Sequence, residues 1–157
     1  MFKLSAVLLV LGNAAQAVDC TGASLRFVES APRDRFELTV GTQPLKAMQV
    51  DLRGSAGRLI FDTADGGTGV EVFQPLRDEG GTQVNDVADG AEAIKVALRD
   101  GKAGSRAVFS IDVDDRLASS DLGQIRVTGG EMAGAVATFE AADGTVFDAK
   151  SRAQVCP

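Results

Sequence analysis

The sequence contains no histidine, tryptophan or tyrosine, and phenylalanine is its only aromatic residue. Without histidine the chain cannot form a Ser-His-Asp or Cys-His arrangement or an imidazole zinc site, and it has no side chain that ordinarily titrates near neutral pH. Without tryptophan or tyrosine it lacks the amphipathic rings on which bound sugars usually stack. We therefore predict that the protein is not an enzyme; an enzyme would have to rely on carboxylates or a bound metal.

Basic residues are fewer than acidic ones, 16 against 22, and no stretch of the sequence gathers them into a basic cluster. A net negative charge disfavours binding to nucleic acids and to anionic membranes, because both carry dense negative charge. We accordingly expect neither a nucleic-acid partner nor insertion into a membrane.

The first 17 residues have the parts of a secretory signal peptide: Lys3, an apolar run from Leu4 to Leu11, and the small-residue end Ala15-Gln16-Ala17. The apolar run is shorter than the roughly 20 residues that a membrane span requires, although an uncleaved anchor is the alternative. We predict a signal peptide over 1–17, a single domain over 18–157, and a periplasmic or secreted location. Cleavage would change the net charge from −6 to −7, because Lys3 is the only charged residue removed.

The chain has two cysteines, Cys20 and Cys156, which lie near the two ends of the predicted domain. An exported protein passes into an oxidising compartment, so we predict a disulfide between them, with free thiols as the alternative. In the chain-entropy view, a loop of this length stabilises the folded state by about 5 kcal/mol, and measured values are more often about 2–4 kcal/mol.

Short segments with alternating apolar and polar residues, or rich in β-branched and aromatic residues, recur between clusters of Gly, Pro, Asp and Asn. This pattern is typical of an all-β fold, and we predict a single antiparallel β-sandwich of the jelly-roll or immunoglobulin-like kind. The region Gln74–Ala91 is instead predicted to be a long surface loop that could contain a short strand. The predicted strands are Ser24–Glu29, Arg35–Val40, Ala47–Arg53, Arg58–Asp62, Val70–Phe73, Ala93–Leu98, Ala107–Val113, Gln124–Thr128, Val136–Glu140 and Thr145–Asp148.

An acidic cluster at the end of one predicted strand is the best candidate for a binding site. Asp112 and Asp114 are two residues apart, so both point to the same face, while Asp115 and Asp121 follow in the next loop. Such converging carboxylates suit Ca²⁺, which takes six to eight oxygen ligands. The spacing is not that of an EF-hand, because Leu117 occupies the position of the required glycine. The alternative is a solvated acidic strand end.

A second acidic segment lies between Phe61 and Gly69. It could supply Asp62 or Asp65 to the same site or to another one; otherwise it is a flexible turn. Its glycines do not form a phosphate-binding loop, because the lysine and following helix of that motif are missing.

Two stretches, Phe109–Asp115 and Gly123–Ala135, carry a resemblance to a known family, supported by Asp143-Gly144-Thr145 and Leu59–Thr63. They resemble small exported bacterial β-sandwich proteins labelled "aggregation factor core protein". The resemblance implies an extracellular, calcium-dependent adhesive role.

Together these observations predict an exported, non-catalytic binding or surface-adhesion module, stabilised by calcium, with an extracellular or envelope protein or polysaccharide as its partner. The alternative is an envelope assembly subunit that binds other proteins through an exposed edge strand such as Val70–Phe73.

Overall fold

The computed structural model describes residues 22–30, 33–70, 73–119 and 122–148. Within these ranges the chain forms ten β-strands and no helix, and every strand pairing is antiparallel. The all-β, antiparallel character predicted from the sequence is therefore confirmed. None of the described segments forms a helix with the length and apolar character needed to cross a bilayer.

Most consecutive strands are joined by short connecting segments, and three of the connecting segments are longer. Their bounds are β1 Ser24–Val28, β2 Asp34–Thr39, β3 Leu45–Asp51, β4 Ile60–Asp62, β5 Arg77–Gly80, β6 Thr82–Gln83, β7 Ala93–Leu98, β8 Arg106–Asp114, β9 Val136–Ala141 and β10 Val146–Asp148.

The ten strands form two sheets of five. In the first sheet the order is β1-β2-β8-β4, with β5 also paired to β8. In the second sheet the order is β10-β9-β3-β7-β6. Both sheets contribute side chains to one hydrophobic core, which includes Phe36, Phe61 and Phe109 from the first sheet and Met48 and Phe139 from the second.

Strand β8 is the centre of the first sheet, and its alternation separates two environments. Phe109, Ile111 and Val113 are fully buried in the core, as the period-two pattern requires. The alternate residues Ser110, Asp112 and Asp114 point to the other face, and they are nevertheless buried, because neighbouring segments cover them. Strand β8 thus has buried polar side chains on the face opposite the hydrophobic core.

Strands β4 and β5 lie one after the other along the same edge of β8. β4 pairs with Asp112–Asp114, and β5 pairs with the part of β8 around Ser110. Between them the Gln74 N–H donates to the carbonyl of Asp62, at 3.4 Å, and the Asp112 N–H donates to the carbonyl of Gln74, at 3.0 Å. The chain between Asp62 and Gln74 therefore leaves the sheet edge and returns to it at nearly the same point.

One predicted strand is wrong, and one predicted loop contains more strand than expected. Gln124–Thr128 is a turn segment, because Gly123 has φ 84° and the Arg126 N–H bonds back to the Gly123 carbonyl at 3.2 Å. The predicted loop Gln74–Ala91, in which the sequence indicates at most a short strand, contains two short strands, β5 and β6, whose polar sequences carry no apolar alternation. Backbone pairing to β8 and β7 decides these elements, and single-strand patterning does not reveal it.

Eight of the other strand predictions agree with β1 to β4 and β7 to β10 to within a few residues. β9 and β10 form a hairpin, with Gly144 at φ 91° in its turn and the Thr145 N–H donating to the Asp143 carboxylate. Val70 and Phe73 are not in a strand, and the two residues between them lie outside the described residues. The predicted signal peptide, Cys20 and Cys156 also lie outside them.

Candidate metal centre

Three aspartates from two adjacent strands converge on the outer side of the first sheet. Asp62 on β4 is paired with Asp112 on β8, and Asp114 lies two residues further along β8 on the same face. One carboxylate oxygen of each lies within 4.8 Å of an oxygen of the other two. The antiparallel register of β4 and β8 therefore assembles the group, since it places two distant parts of the sequence side by side.

The three carboxyl groups are buried, although aspartate side chains are ordinarily exposed to solvent. Asp62 and Asp112 are each 2 % exposed, and Asp114 is 1 % exposed. Asp112 Oδ2 and Asp114 Oδ1 are out of contact with solvent and have no hydrogen-bond partner within the described parts of the chain. Buried polar atoms are nearly always satisfied, so two unpartnered oxygens in one cluster indicate that something is needed to complete it.

The raised pKa values of the three carboxyl groups also indicate that the cluster lacks compensating positive charge. Burial, followed by repulsion from Asp114, Asp34 and Asp62, raises the pKa of Asp112 to about 8. Burial is also the main cause that raises the pKa of Asp114 to about 7, against the opposing hydrogen bond from Val70. The pKa of Asp62 is raised by burial and then by its hydrogen bond with Asp89. Carboxyls held together in this way need either protons or a cation.

A glycine-rich loop closes over the cluster and is held by Asp89. The Asp89 carboxylate accepts hydrogen bonds from the Thr63 N–H at 3.0 Å, the Thr68 N–H at 2.6 Å and the Thr68 hydroxyl at 2.7 Å. These bonds, Thr68 first, hold the pKa of Asp89 well below its usual range. Asp89 is thus an ionised anchor that orders the loop and does not itself belong to the three-aspartate group.

The end of this loop contacts the aspartates directly. The Val70 N–H donates to Asp114 Oδ2 at 2.8 Å. A Cβ added at Gly69 would collide with the carboxylates of both Asp62 and Asp114. Glycine is therefore required at position 69 for the backbone to lie against them.

The other acidic residues singled out from the sequence have different positions. Asp115 is buried and its Oδ2 is also unpartnered among the described residues, but it is outside the group of three; its Oδ1 accepts the Leu117 N–H at 2.9 Å. Asp65 is exposed and lines a surface pocket next to Asp62. Asp121 lies outside the described residues.

Asp34 is the residue that sequence reasoning missed. It begins β2, is 5 % exposed, and lines a small pocket together with Asp112. Its carboxylate accepts the Ser30 N–H at 3.3 Å, yet burial raises its pKa to about 7. In the sequence it lies between Arg33 and Arg35 with no pattern that marks it, and only the folded arrangement shows that its carboxyl group lies near Asp112.

Comparisons with protein-family models, with curated proteins and with solved structures returned no match.

Proposed function

We propose that Asp62, Asp112 and Asp114 bind a divalent cation, with Ca²⁺ as the first candidate, and that the protein is an exported binding or surface module which this cation stabilises. The observation that carries the proposal is the convergence of three buried carboxylates, two of which have an oxygen without a partner. Asp89, the carboxylate next to the cluster, is by contrast satisfied by hydrogen bonds from the loop, so unpartnered oxygens are not a general property of the carboxylates in this region.

The dimensions of the cluster suit an oxygen-binding cation. Ca²⁺ is bound at about 2.3–2.6 Å, so ligand oxygens on opposite sides of it are about 4.6–5.2 Å apart. The three aspartates supply oxygens within 4.8 Å of one another. A doubly charged ion would offset most of their mutual repulsion, and water or backbone carbonyls would complete its six to eight ligands.

A structural role for the cation is favoured over a catalytic one. The three ligands are at most 2 % exposed, so a substrate could not approach them without movement of the loop. The cation would instead join β4, β8 and the loop that follows β4. We further propose that the two sheets, which share one core, pack as a β-sandwich of the jelly-roll or immunoglobulin-like kind.

The first test is thermal unfolding of the protein with excess Ca²⁺, with excess Mg²⁺, and with EDTA. A ligand at a hundred times its dissociation constant adds about 2.7 kcal/mol to the free energy of unfolding, which raises Tm by several degrees for a domain of this size. We expect that rise with Ca²⁺ and its reversal by EDTA. Coincident curves in all three solutions would contradict a cation site, and a rise with Mg²⁺ alone would contradict the choice of Ca²⁺.

A glycine substitution tests the placement of the loop against the ligands. We expect Gly69→Ala to weaken Ca²⁺ binding at least tenfold, because the added methyl group pushes Val70 and the carboxylates of Asp62 and Asp114 apart. Isothermal titration calorimetry measures the change. Gly129→Ala is the matched control, because an added Cβ there meets no atom within 4 Å. Equal affinities for the two variants would show that the loop does not form part of the site.

The envelope-assembly alternative keeps one supporting observation. The second sheet ends at β10, a short edge strand whose Val146 side chain is exposed. Pairing of that edge with another protein would produce self-association or partner binding that is insensitive to chelator. Sizing in Ca²⁺ and in EDTA distinguishes this alternative from a cation-dependent module.

A further inference from the structure

The outer face of the first sheet brings together arginines that are scattered in the sequence. Strand pairing places Arg26 of β1 opposite Glu37 of β2, and it places Arg35 of β2 and Arg77 of β5 on the two sides of Ser110 in β8. Arg33 and Arg106 extend the same face, through contacts with Glu79 and Glu37. The set comprises Arg26, Arg33, Arg35, Arg77 and Arg106, which we call the arginine face.

The charge on this face is not balanced locally. Glu37 and Glu79 accompany the five arginines, and Glu29, which lines a pocket with Arg33, is paired with Arg126 at 2.6 Å. The face is therefore positive although the whole protein is negative. The buried aspartates of the cation site lie further along β8 and present no exposed carboxylate here. An acidic protein that gathers five arginines on one sheet face has a surface complementary to an anionic partner.

The guanidinium groups are held loosely. Arg26, Arg35 and Arg106 all share Glu37, at 3.9, 3.7 and 3.9 Å, and Arg33 lies 3.8 Å from Glu79. The side chains of Arg26 and Arg106 remain 74 % and 69 % exposed. Exposed ion pairs of this length contribute little to stability, so the arginines keep most of their capacity to bind another anion.

The second sheet shows what a locally satisfied arrangement looks like in the same protein. There Glu140 lies between Lys46 and Lys95, with both ammonium groups at 2.7 Å. Two cations close on one carboxylate, and each carboxylate oxygen has its own partner. The Glu140 carboxylate is thus fully paired at short distance, whereas the three arginines around Glu37 share one carboxylate at long distance.

The type of anion follows from the chemistry of the face. Guanidinium groups form paired hydrogen bonds with carboxylate and sulfate-like anions, which lysine cannot do. Neighbouring strands are about 4.8 Å apart, so Arg35 and Arg77, two strands apart, are spaced by roughly 10 Å across an even surface. A polymer with regularly repeated anionic groups can therefore contact several of these arginines at once.

A protein partner is less well matched, because protein interfaces depend on desolvated apolar and aromatic anchors. The large apolar side chains that are exposed within the described residues are Leu122, Ile125, Val136 and Val146, and none of them belongs to β1, β2, β5 or β8. Ile125 lines a small pocket together with Arg33, but the strands that carry the arginine face expose charge without an apolar anchor of their own. Hydrated, repeatedly charged polymers bind through this kind of surface without stacking on aromatic rings.

We propose that the arginine face binds an anionic polysaccharide that carries carboxylate or sulfate groups. This inference rests on the proposed function only in treating the chain as a binding module. It names a ligand class for a surface separate from the cation site, and it does not require that site to be filled.

The experiment measures binding of the protein to immobilised heparin, which is sulfated, and to polygalacturonate, which is carboxylated, with neutral dextran as a blank. We expect saturable binding to at least one charged polymer and none to dextran. The double variant Arg26→Gln plus Arg106→Gln should bind about tenfold more weakly, because both side chains are exposed and lose their forked donors. The variant Arg26→Lys plus Arg106→Lys should bind with intermediate strength, since it keeps the charge alone.

Lys46→Gln plus Lys95→Gln is the matched control, because it removes the same charge from the other sheet beside a single glutamate. An equal loss of polymer affinity in this control would show that the affinity depends on the net charge of the protein alone, and it would overturn the proposal. Equal binding to a single-stranded oligonucleotide would also overturn it. Dimerisation at low salt that the arginine variant abolishes, without polymer binding, would assign the face to a second copy of this chain instead.

Running the binding assay in Ca²⁺ and in EDTA separates this proposal from the cation site. Polymer binding that persists in EDTA supports the arginine face even if Ca²⁺ does not bind. Loss of binding in Asp114→Asn with the arginines intact would place the polymer on the cation site and overturn the proposal.

Discussion

Replacing Asp114 with asparagine will stabilise the cation-free protein at pH 8 and abolish its response to Ca²⁺. Asparagine keeps an oxygen to accept the Val70 N–H and replaces the buried, unpartnered oxygen with an NH₂ group that can donate to Asp62. It also removes one charge from a desolvated cluster, which we expect to add about 1–3 kcal/mol to the free energy of unfolding. Thermal unfolding in EDTA and in Ca²⁺ measures both effects.

The two effects have opposite signs only if the cluster is a cation site. A substitution that merely damaged packing would destabilise the protein in both solutions, and a solvated aspartate would change neither curve. Asp143→Asn is the matched control, because this exposed residue of the β9–β10 turn keeps an oxygen for the Thr145 N–H. A variant at Asp114 that still gained stability from Ca²⁺ would remove that residue from the ligand set.

In EDTA, the free energy of unfolding will fall as the pH rises from about 5 to about 8. The folded pKa values of Asp112, Asp114 and Asp34 are raised to about 8, 7 and 7, mainly by burial, whereas an unfolded aspartate titrates near 4. Between these values the folded state holds protons that the unfolded state has released. Their stabilising contribution is therefore complete below pH 4 and is lost as the pH passes through 7 and 8.

Urea unfolding at a series of pH values measures this slope. Each proton that the folded state retains contributes about 1.4 kcal/mol per pH unit, so even one retained proton lowers the free energy of unfolding by about 3 kcal/mol over two pH units, and further retained protons steepen the fall. Saturating Ca²⁺ should flatten the slope, because cation-bound ligands are ionised in the folded state. Stability that rises with pH in EDTA would contradict the raised pKa values. Below about pH 4 the anchor Asp89, whose pKa is lowered, acts in the opposite direction.

The strands with apolar alternation could be predicted from the sequence, because burial on one face imposes a period of two. Strand β8 is the clearest example: Phe109, Ile111 and Val113 give both its position and its buried face. Strands β5 and β6 could not be predicted in this way, since they are created by backbone pairing to β8 and β7 and carry no apolar alternation of their own. Gln124–Thr128 shows the opposite error, where Ile125 and Val127 alternate within a turn.

Part of the candidate site was also visible in the sequence. The spacing of Asp112 and Asp114 implied a shared face, and the structure places them side by side with Asp62. The sequence left open whether Asp62 or Asp65 joins them, because the choice depends on the register of β4 against β8. The contribution of Gly69 had no signal in a segment with several glycines, since its close approach to the carboxylates depends on the bonds that Asp89 makes to the loop.

The common edge that β4 and β5 share on β8 makes the intervening segment a replaceable insert. Because the chain leaves at Asp62 and rejoins through Gln74, both of which bond to the same stretch of the sheet, a short linker could close the gap and leave one continuous edge strand. The loop over the aspartates can thus be replaced without changing the strand pairing of either sheet. A grafted segment with different ligand groups would then alter the preference of the site for one cation over another.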